Sequence, residues 1–325
     1  MCITLLSTAH PGYPFILLNN RDEFLTRPTA RADWWETPHA HVLGGRDLQR
    51  EERGTWLAVT RDGRLANLTN FREEGVEVEK GKSRGGLVNA FVTPAFDARV
   101  DDERFVNKRL VQDIGIQDVG GFTLLLGHLR APTKDGKLPG LAIVSNRTSS
   151  AQGLTRIATQ LGETHGLSNS HYGDLTWPKV VHGEQLLKQA VHASVSRADG
   201  RDKLIASLFD VLSVESLPRP QRGEDWNVYA RQLRNSIFIP PVGGETVERK
   251  PADKLASADG TGRAEDGQVT VGRGVYGTQR QTVVLVDGGG HVTFVERTVG
   301  REDGGSDGSV QEDRTFEFEV EGWEG

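Results

Sequence analysis

The chain opens Met1-Cys2-Ile3, and Cys2 is its single cysteine. Initiator methionine is normally removed when the second residue is small, as cysteine is. Removal would place a thiol and a free α-amine on one residue. The amine, with an ordinary pKa of about 7.7–8.0, can then act as the thiol's own general base. The plainer reading is a small apolar residue that starts a buried strand, since free cysteines are commonly buried.

Three charges in Asn20-Arg21-Asp22-Glu23 follow the apolar run Phe15–Leu18. Beside a thiol, Asp22 could hold the α-ammonium, and Arg21 could favour thiolate or bind an anion. A solvated strand end, or an ion pair of structural value only, is the competing view. Asn70 ends a strand pattern within Leu68-Thr69-Asn70-Phe71-Arg72, and Asn169 sits in Gly166-Leu167-Ser168-Asn169. Amides at strand ends that face a cleft can donate to an oxyanion, and Asn is also a good turn residue. The nine histidines occur singly, without metal-ligand spacing, and His39 and His41 lie on a loop-like stretch. No Walker loop, dinucleotide fingerprint or Gly-x-Ser-x-Gly elbow is present.

The elements that must position these residues are largely strands. Cys2–Ser7 and Phe15–Asp22 flank the turn signal His10-Pro11-Gly12. If that turn closes a hairpin, facing residue numbers total about 23, which sets Cys2 opposite Arg21 and beside Asp22. Arg61-Asp62-Gly63 predicts a second hairpin between Thr55–Thr60 and Arg64–Arg72. Gly288-Gly289-Gly290 predicts a third, between Thr282–Asp287 and His291–Arg297. Further strands are expected at Phe122–Leu129, Leu141–Asn146 and, as an edge, Thr315–Val320. Helical spacing marks Arg84–Val92, Asp101–Ile114, Pro178–Ala193 and Arg201–Val214, and Pro178 suits a first helical turn. Trp56 in Gly54-Thr55-Trp56-Leu57 reads as core rather than ligand platform, Trp177-Pro178-Lys179 as punctuation of a helix start, and Tyr276–Gln281 as a loop entering a strand, with a polar cluster that could line a pocket. Strands with helices gathered between them fit an α+β or αββα sandwich better than a βαβ repeat.

With 325 residues the chain has room for one large domain or two average ones. The hydrophobic share of 36% and charged share of 26% are ordinary for a globular protein. The net charge of −6 comes from dispersed acids, so nucleic acid is not an expected partner. No run approaches the ~20 apolar residues that span a bilayer, and the N-terminus lacks the pattern of a secretory signal. A cytoplasmic protein that does not cross a membrane is expected. The lone cysteine rules out an internal disulfide framework. Residues 241–274 and 300–313 are polar and Gly-rich, and read as flexible insertions.

Taken in order, these segments resemble the NRDE family, the relatives of Transport and Golgi organisation protein 2. The resemblance rests on Met1-Cys2-Ile3, Asn20-Arg21-Asp22-Glu23-Phe24 with Arg27-Pro28, Gly54-Thr55-Trp56-Leu57 and Thr69-Asn70. It continues through Gly166-Leu167-Ser168-Asn169, Trp177-Pro178-Lys179, Tyr276-Gly277-Thr278 and Val292–Arg297. It implies a single family domain over 1–325 with a four-layer αββα, N-terminal-nucleophile-hydrolase-like fold. It also implies links to Golgi organisation and protein secretion, haem mobilisation, and acyl-CoA or lipid homeostasis, with association with Golgi, endoplasmic reticulum or mitochondria. The Cys2 and Arg21-Asp22 arrangement is similar to N-terminal-nucleophile amidases of the choloylglycine hydrolase and penicillin V acylase type. By that likeness Cys2 is the nucleophile, Arg21 and Asp22 its neighbours, and Asn70 and Asn169 the oxyanion groups.

Two functions follow as expectations, and neither requires a cofactor. In the first, the protein binds an apolar small molecule with an anionic head, acyl-CoA or haem. Asn20, Arg21, Asp22, Glu23 and Arg280 would line the site, and the sandwich interior would take the apolar part. In the second, it is an amidohydrolase or acyltransferase acting through processed Cys2. In many family members Arg directly follows Tyr-Gly-Thr, whereas here Gln279 comes before Arg280, a one-residue shift expected to turn that Arg to the opposite face.

Overall fold

The computed structural model describes residues 1–71, 83–94, 101–219, 226–243, 274–299 and 313–324. The strands are β1 Ile3–Ser7, β2 Phe15–Phe24, β3 Thr29–Trp34, β4 Val42–Asp47, β5 Leu57–Thr60, β6 Arg64–Asn70 and β7 Phe122–His128. They continue as β8 Leu141–Ser145, β9 Arg156–Ile157, β10 Thr164–Leu167, β11 Val242–Gly243, β12 Val275–Val286, β13 His291–Thr298 and β14 Arg314–Glu319. The helices are α1 Gly85–Val92, α2 Asp102–Arg104, α3 Pro178–Arg197, α4 Arg201–Leu212 and α5 Trp226–Ala230.

Among the described residues the strands form two seven-stranded antiparallel sheets. One runs β10-β1-β2-β12-β13-β14, with β11 also on β12, and the other runs β3 to β9 in chain order. Side chains on a strand alternate between faces, and β1 and β2 use both. Leu6, Phe15 and Leu17 meet Leu43, Leu57, Leu65 and Leu125 of the second sheet in a core between the sheets. Ile3, Leu5, Ile16 and Leu18 point the other way and pack under α3 and α4. On the outer face of the second sheet, α1 and the stretch Phe105–Ile114 cover Ala66, Leu68, Leu124 and Leu126. Helix, sheet, sheet, helix is therefore the layering, and it explains why β1 and β2 read as continuous apolar runs: neither face meets water.

The first hairpin turns at His10–Tyr13, and its register sets Ile3 opposite Asn20 and Leu6 opposite Leu17. This is the pairing expected from the turn. The other two predicted hairpins, the edge strand β14 and the four helical regions are all present.

Several elements differ from the sequence reading. The helix expected over Asp101–Ile114 is α-helical only at Asp102–Arg104 and winds as a π-helix over Phe105–Ile114, which ends at Gly115 in the left-handed conformation. Strands β3, β4, β9, β10 and β11 were not expected. Gly44-Gly45 and nearby prolines hide the alternation of β3 and β4, and β9 and β11 are two-residue strands defined only by their partners. Tyr276–Gln281 is not a loop but lies within β12, because β2 extends to Phe24 and pairs with it throughout. Of the two proposed insertions, 241–274 begins with β11 on β12; 244–273 and 300–312 lie outside the described residues.

The helix layer is brought close by one glycine. A Cβ at Gly183 of α3 would sit 2.8 Å from Leu5 Cδ2, so any side chain there would force the buried Leu5 or the helix to shift. Lys179, Gly183, Leu187 and Val191 form one buried stripe at helical spacing. Lys179 is thereby carried inward at the first turn of α3. No helix among the described residues is long and apolar enough to cross a membrane.

Leu17 is fully buried between the sheets. Leu17→Ala is expected to cost about 2–5 kcal/mol, read as a lower urea midpoint with an unchanged slope.

Candidate active site

The hairpin register brings the first residues of the chain beside the end of β2. Cys2 is buried, and its Sγ donates to the backbone oxygen of Asp22 at 3.7 Å. Its own carbonyl accepts from Ser168 Oγ at 2.7 Å. The Met1 ammonium lies 3.4 Å from Asp22 Oδ2 and donates to the Tyr276 hydroxyl. Tyr276 donates in turn to the Asp22 backbone oxygen at 3.2 Å. The other carboxylate oxygen, Asp22 Oδ1, accepts from Thr278 Oγ1 at 2.7 Å, and Thr278 Oγ1 accepts from the backbone of Ile239 at 2.9 Å. Lys179, with no exposed surface, donates from Nζ to the Met1 carbonyl. Amine, carbonyl and thiol at the chain terminus thus each have a dedicated protein partner.

Burial raises the Cys2 thiol pKa above its ordinary value, against the opposing pull of the terminal ammonium. Burial also lowers the Met1 amine, against Asp22, and lowers Lys179, against Asp22 and Cys2. With Met1 in place the thiol is therefore protonated at neutral pH and a poor nucleophile.

Arg21 points from the opposite face of β2, into the space between the sheets, and is 5% exposed. Its Nη2 donates to Thr29 Oγ1 at 3.0 Å and Gln279 Oε1 at 3.3 Å, and its guanidinium lies 4.9 Å from the Trp56 ring centre. Trp56 is thus core and cation platform at once. Among the described residues no carboxylate forms an ion pair with Arg21, and its Nε lacks a hydrogen-bond partner. Burial lowers its pKa, with Glu296 opposing most strongly.

The residue before Arg280 is absorbed by a β-bulge. Thr278 pairs with Asp22 and Arg280 with Arg21, leaving Gln279 as the extra residue. Arg280 is therefore not turned away: it borders the same small cavity as Arg21 and comes within 3.9 Å of Glu296. That cavity measures about 20 Å³ and also meets Trp56 and Glu296. A single water needs roughly 10–15 Å³, so the interior beside Arg21 has no room for the apolar part of a large ligand.

The other expected site residues are dispersed. Asn20 faces the helix layer, and its amide donates to the carbonyls of Leu212 at 2.8 Å and Ile237 at 2.9 Å. Glu23 pairs with Arg27 at 3.5 Å. Asn169 Nδ2 donates to the backbone oxygen of Asn70 at 2.5 Å, and Oδ1 of both residues is buried without a partner. Asn70 and Asn169 are thus together, with one N–H of the Asn169 amide bonded to Asn70. Lys179 and Ser168 were not legible as site residues, although each lies in a marked segment, whereas Tyr276 and Thr278 belong to the polar cluster that could line a pocket. Lys179 at the start of an amphipathic helix, on the stripe of Gly183 and Leu187, was the available signal. Among the described residues no cluster of His, Cys, Asp or Glu could hold a metal.

With Met1 retained, the rate of Cys2 alkylation by iodoacetamide should be low at pH 7 and still climb above pH ~9, because the folded thiol pKa lies above the ordinary ~8.5. A plateau reached below pH 8 would contradict the burial of this thiol. The measurement is intact mass against time across a pH series.

The family profile described as Transport and Golgi organisation 2 matches residues 1–301. The human Transport and Golgi organization protein 2 homolog is 32% identical over 311 residues, covering 95% of this chain and 94% of its own. The Drosophila melanogaster Transport and Golgi organization protein 2 is 28% identical over 316 residues, covering 92% of each. Among solved structures, a Caenorhabditis elegans N-acylethanolamine-hydrolyzing acid amidase ortholog aligns over 69% of this chain and 88% of its own, at 14% identity and a TM-score of 0.36. The C2A mutant of conjugated bile acid hydrolase from Clostridium perfringens aligns over 98% of each chain, at 9% identity and a TM-score of 0.34. Scores that low carry no argument about this site, and the αββα layering stands on the chain's own packing. A profile match from the first residue to residue 301, with a relative of nearly equal length above 30% identity, places the chain in the Transport and Golgi organisation 2 family.

Proposed function

We propose that the chain, once Met1 is removed, is an N-terminal cysteine enzyme that transfers or hydrolyses the acyl group of an amide or thioester. One observation carries this reading. Asp22, Tyr276 and Lys179 converge on the terminal amine and carbonyl next to a buried thiol, an arrangement that strand packing alone does not require. Removal of Met1 moves the α-amine one residue along the chain, about 3.8 Å, onto Cys2 itself. Asp22, held by Thr278, is then the partner that orients this amine.

The Cys2 thiol gives its proton to the α-amine, and Sγ attacks the acyl carbon. A carbon–sulfur bond forms, the bond to the leaving amine or thiol breaks, and the leaving group takes the proton back from the ammonium. Water then attacks the acyl-cysteine, its proton passes through the amine to Sγ, and a carboxylic acid leaves. An acceptor amine or thiol in place of water gives acyl transfer.

A second reading is non-covalent holding of acyl-CoA or haem, with Arg21 on the anionic head. The unpartnered Nε of buried Arg21 favours it. The small cavity at Arg21 means that the apolar part would have to lie elsewhere. In either reading the setting we propose is the cytoplasm, within the transport and Golgi organisation for which the relatives are named.

Intact mass of the natively expressed protein should show loss of Met1, and a thiol-reactive probe should label Cys2 near pH 7. Cys2→Ala and Cys2→Ser should abolish turnover of acyl thioesters, a loss of about 10⁴-fold or more. Retained or acetylated Met1 would exclude this mechanism. Titration with acyl-CoA or haem tests the second reading, which fails if Arg21→Ala binds as tightly as wild type.

A further inference from the structure

Met1 is the one residue that processing would remove, and its surroundings have the form of an acyl site. Its side chain packs against an apolar cluster of Tyr229, Leu233, Ile239 and Val242, which Leu217 and Tyr276 also adjoin. Its carbonyl oxygen accepts from Lys179 Nζ, and its carbonyl carbon is bonded to the nitrogen of Cys2. A carbonyl followed by an unbranched apolar chain, attached at the residue that carries the thiol, is an internal acyl group. In an acyl-cysteine the carbonyl carbon would hang from Sγ instead, on the same Cα by way of Cβ.

We infer that the pocket filled by Met1 is the acyl pocket of the processed protein, that it takes an unbranched acyl chain, and that Lys179 donates to the acyl oxygen. This rests on the processed-Cys2 reading and names the substrate class within it. Three further observations agree. Lys179 loses its carbonyl acceptor when Met1 leaves, and its ammonium then faces the vacated pocket. An acyl oxygen restores the bond, and as negative charge develops on it the bond strengthens. The Met1 side of the pocket is open to solvent, its terminal residue being 25% exposed, so a chain longer than methionine can extend outward. Opposite the carbonyl the walls are leucine, isoleucine, valine and aromatic rings, which suit an apolar chain and offer nothing to a polar one.

The test uses full-length protein whose free N-terminal Cys2 is verified by intact mass. Acetyl, octanoyl and pivaloyl thioesters of N-acetylcysteamine are the probes, and thiol release with acyl-Cys2 mass is the readout. The octanoyl thioester should react about tenfold faster than the acetyl one, and the branched pivaloyl thioester should be the slowest. Leu217→Trp should bring the octanoyl-to-acetyl ratio near one, and Leu217→Ala should move the preference toward longer chains. Lys179→Met should lower kcat about 10²-fold for every chain length with KM little changed, as loss of an oxyanion donor does. Thermal unfolding monitors the fold of each variant. Acylation without chain-length preference, or a preference untouched at Leu217, overturns the pocket while leaving Cys2 catalysis standing. Full kcat in Lys179→Met overturns the donor. Failure of every thioester to acylate a free Cys2 overturns both this inference and the reading beneath it.

Discussion

The antiparallel register of β1 on β2 is the constraint from which the rest follows. Ile3 faces Asn20 because the turn at His10–Tyr13 closes there, and one residue of slip would exchange every inward side chain for an outward one. The register is secured on both faces at once. Leu6 and Leu17 belong to the core between the sheets, and Ile3, Leu5, Ile16 and Leu18 to the core beneath α3 and α4. A chain terminus held this way cannot fray, and its amine, carbonyl and thiol are presented at fixed positions beside Asp22.

Charge is distributed over the two faces of β2 with different consequences. Asp22 meets a cation directly in the terminal ammonium and is bonded by Thr278. Arg21, on the other face, has neutral partners in Thr29 and Gln279 and the face of Trp56. A buried cation whose hydrogen-bond partners are neutral draws its compensation from acids further off, Glu296 first. The bulge at Gln279 serves both faces. It leaves Thr278 on Asp22 and also supplies the Gln279 oxygen to Arg21, while Arg280 stays beside the same cavity.

The helix layer contributes through close approach. Gly183 lets α3 settle on Leu5, and the stripe it belongs to delivers Lys179 to the Met1 carbonyl. An ammonium with no exposed surface on the first turn of a helix has no solvation to fall back on. Its position is meaningful only relative to the chain terminus, which is where its acceptor lies.

The sequence by itself determined the strands with strong apolar content, the tight turns, the hairpin register and the proximity of Cys2 to Asp22, because those depend on local periodicity and turn chemistry. Order and spacing of its motifs also pointed to the family. Tertiary structure alone decided the rest. Strands β9 and β11 exist only through their partners, and the alternation of β3 and β4 is interrupted by glycine and proline. Asn20, Arg21, Asp22 and Glu23 look like one site when read as a string, yet successive residues of a strand face opposite sides, so the fold separates Asn20 from Arg21. A bulge cannot be seen in one strand's sequence, since it is a relation between two, and so the orientation of Arg280 was not legible. Lys179 lies far along the chain from Cys2, and only the descent of α3 onto β1 makes them neighbours.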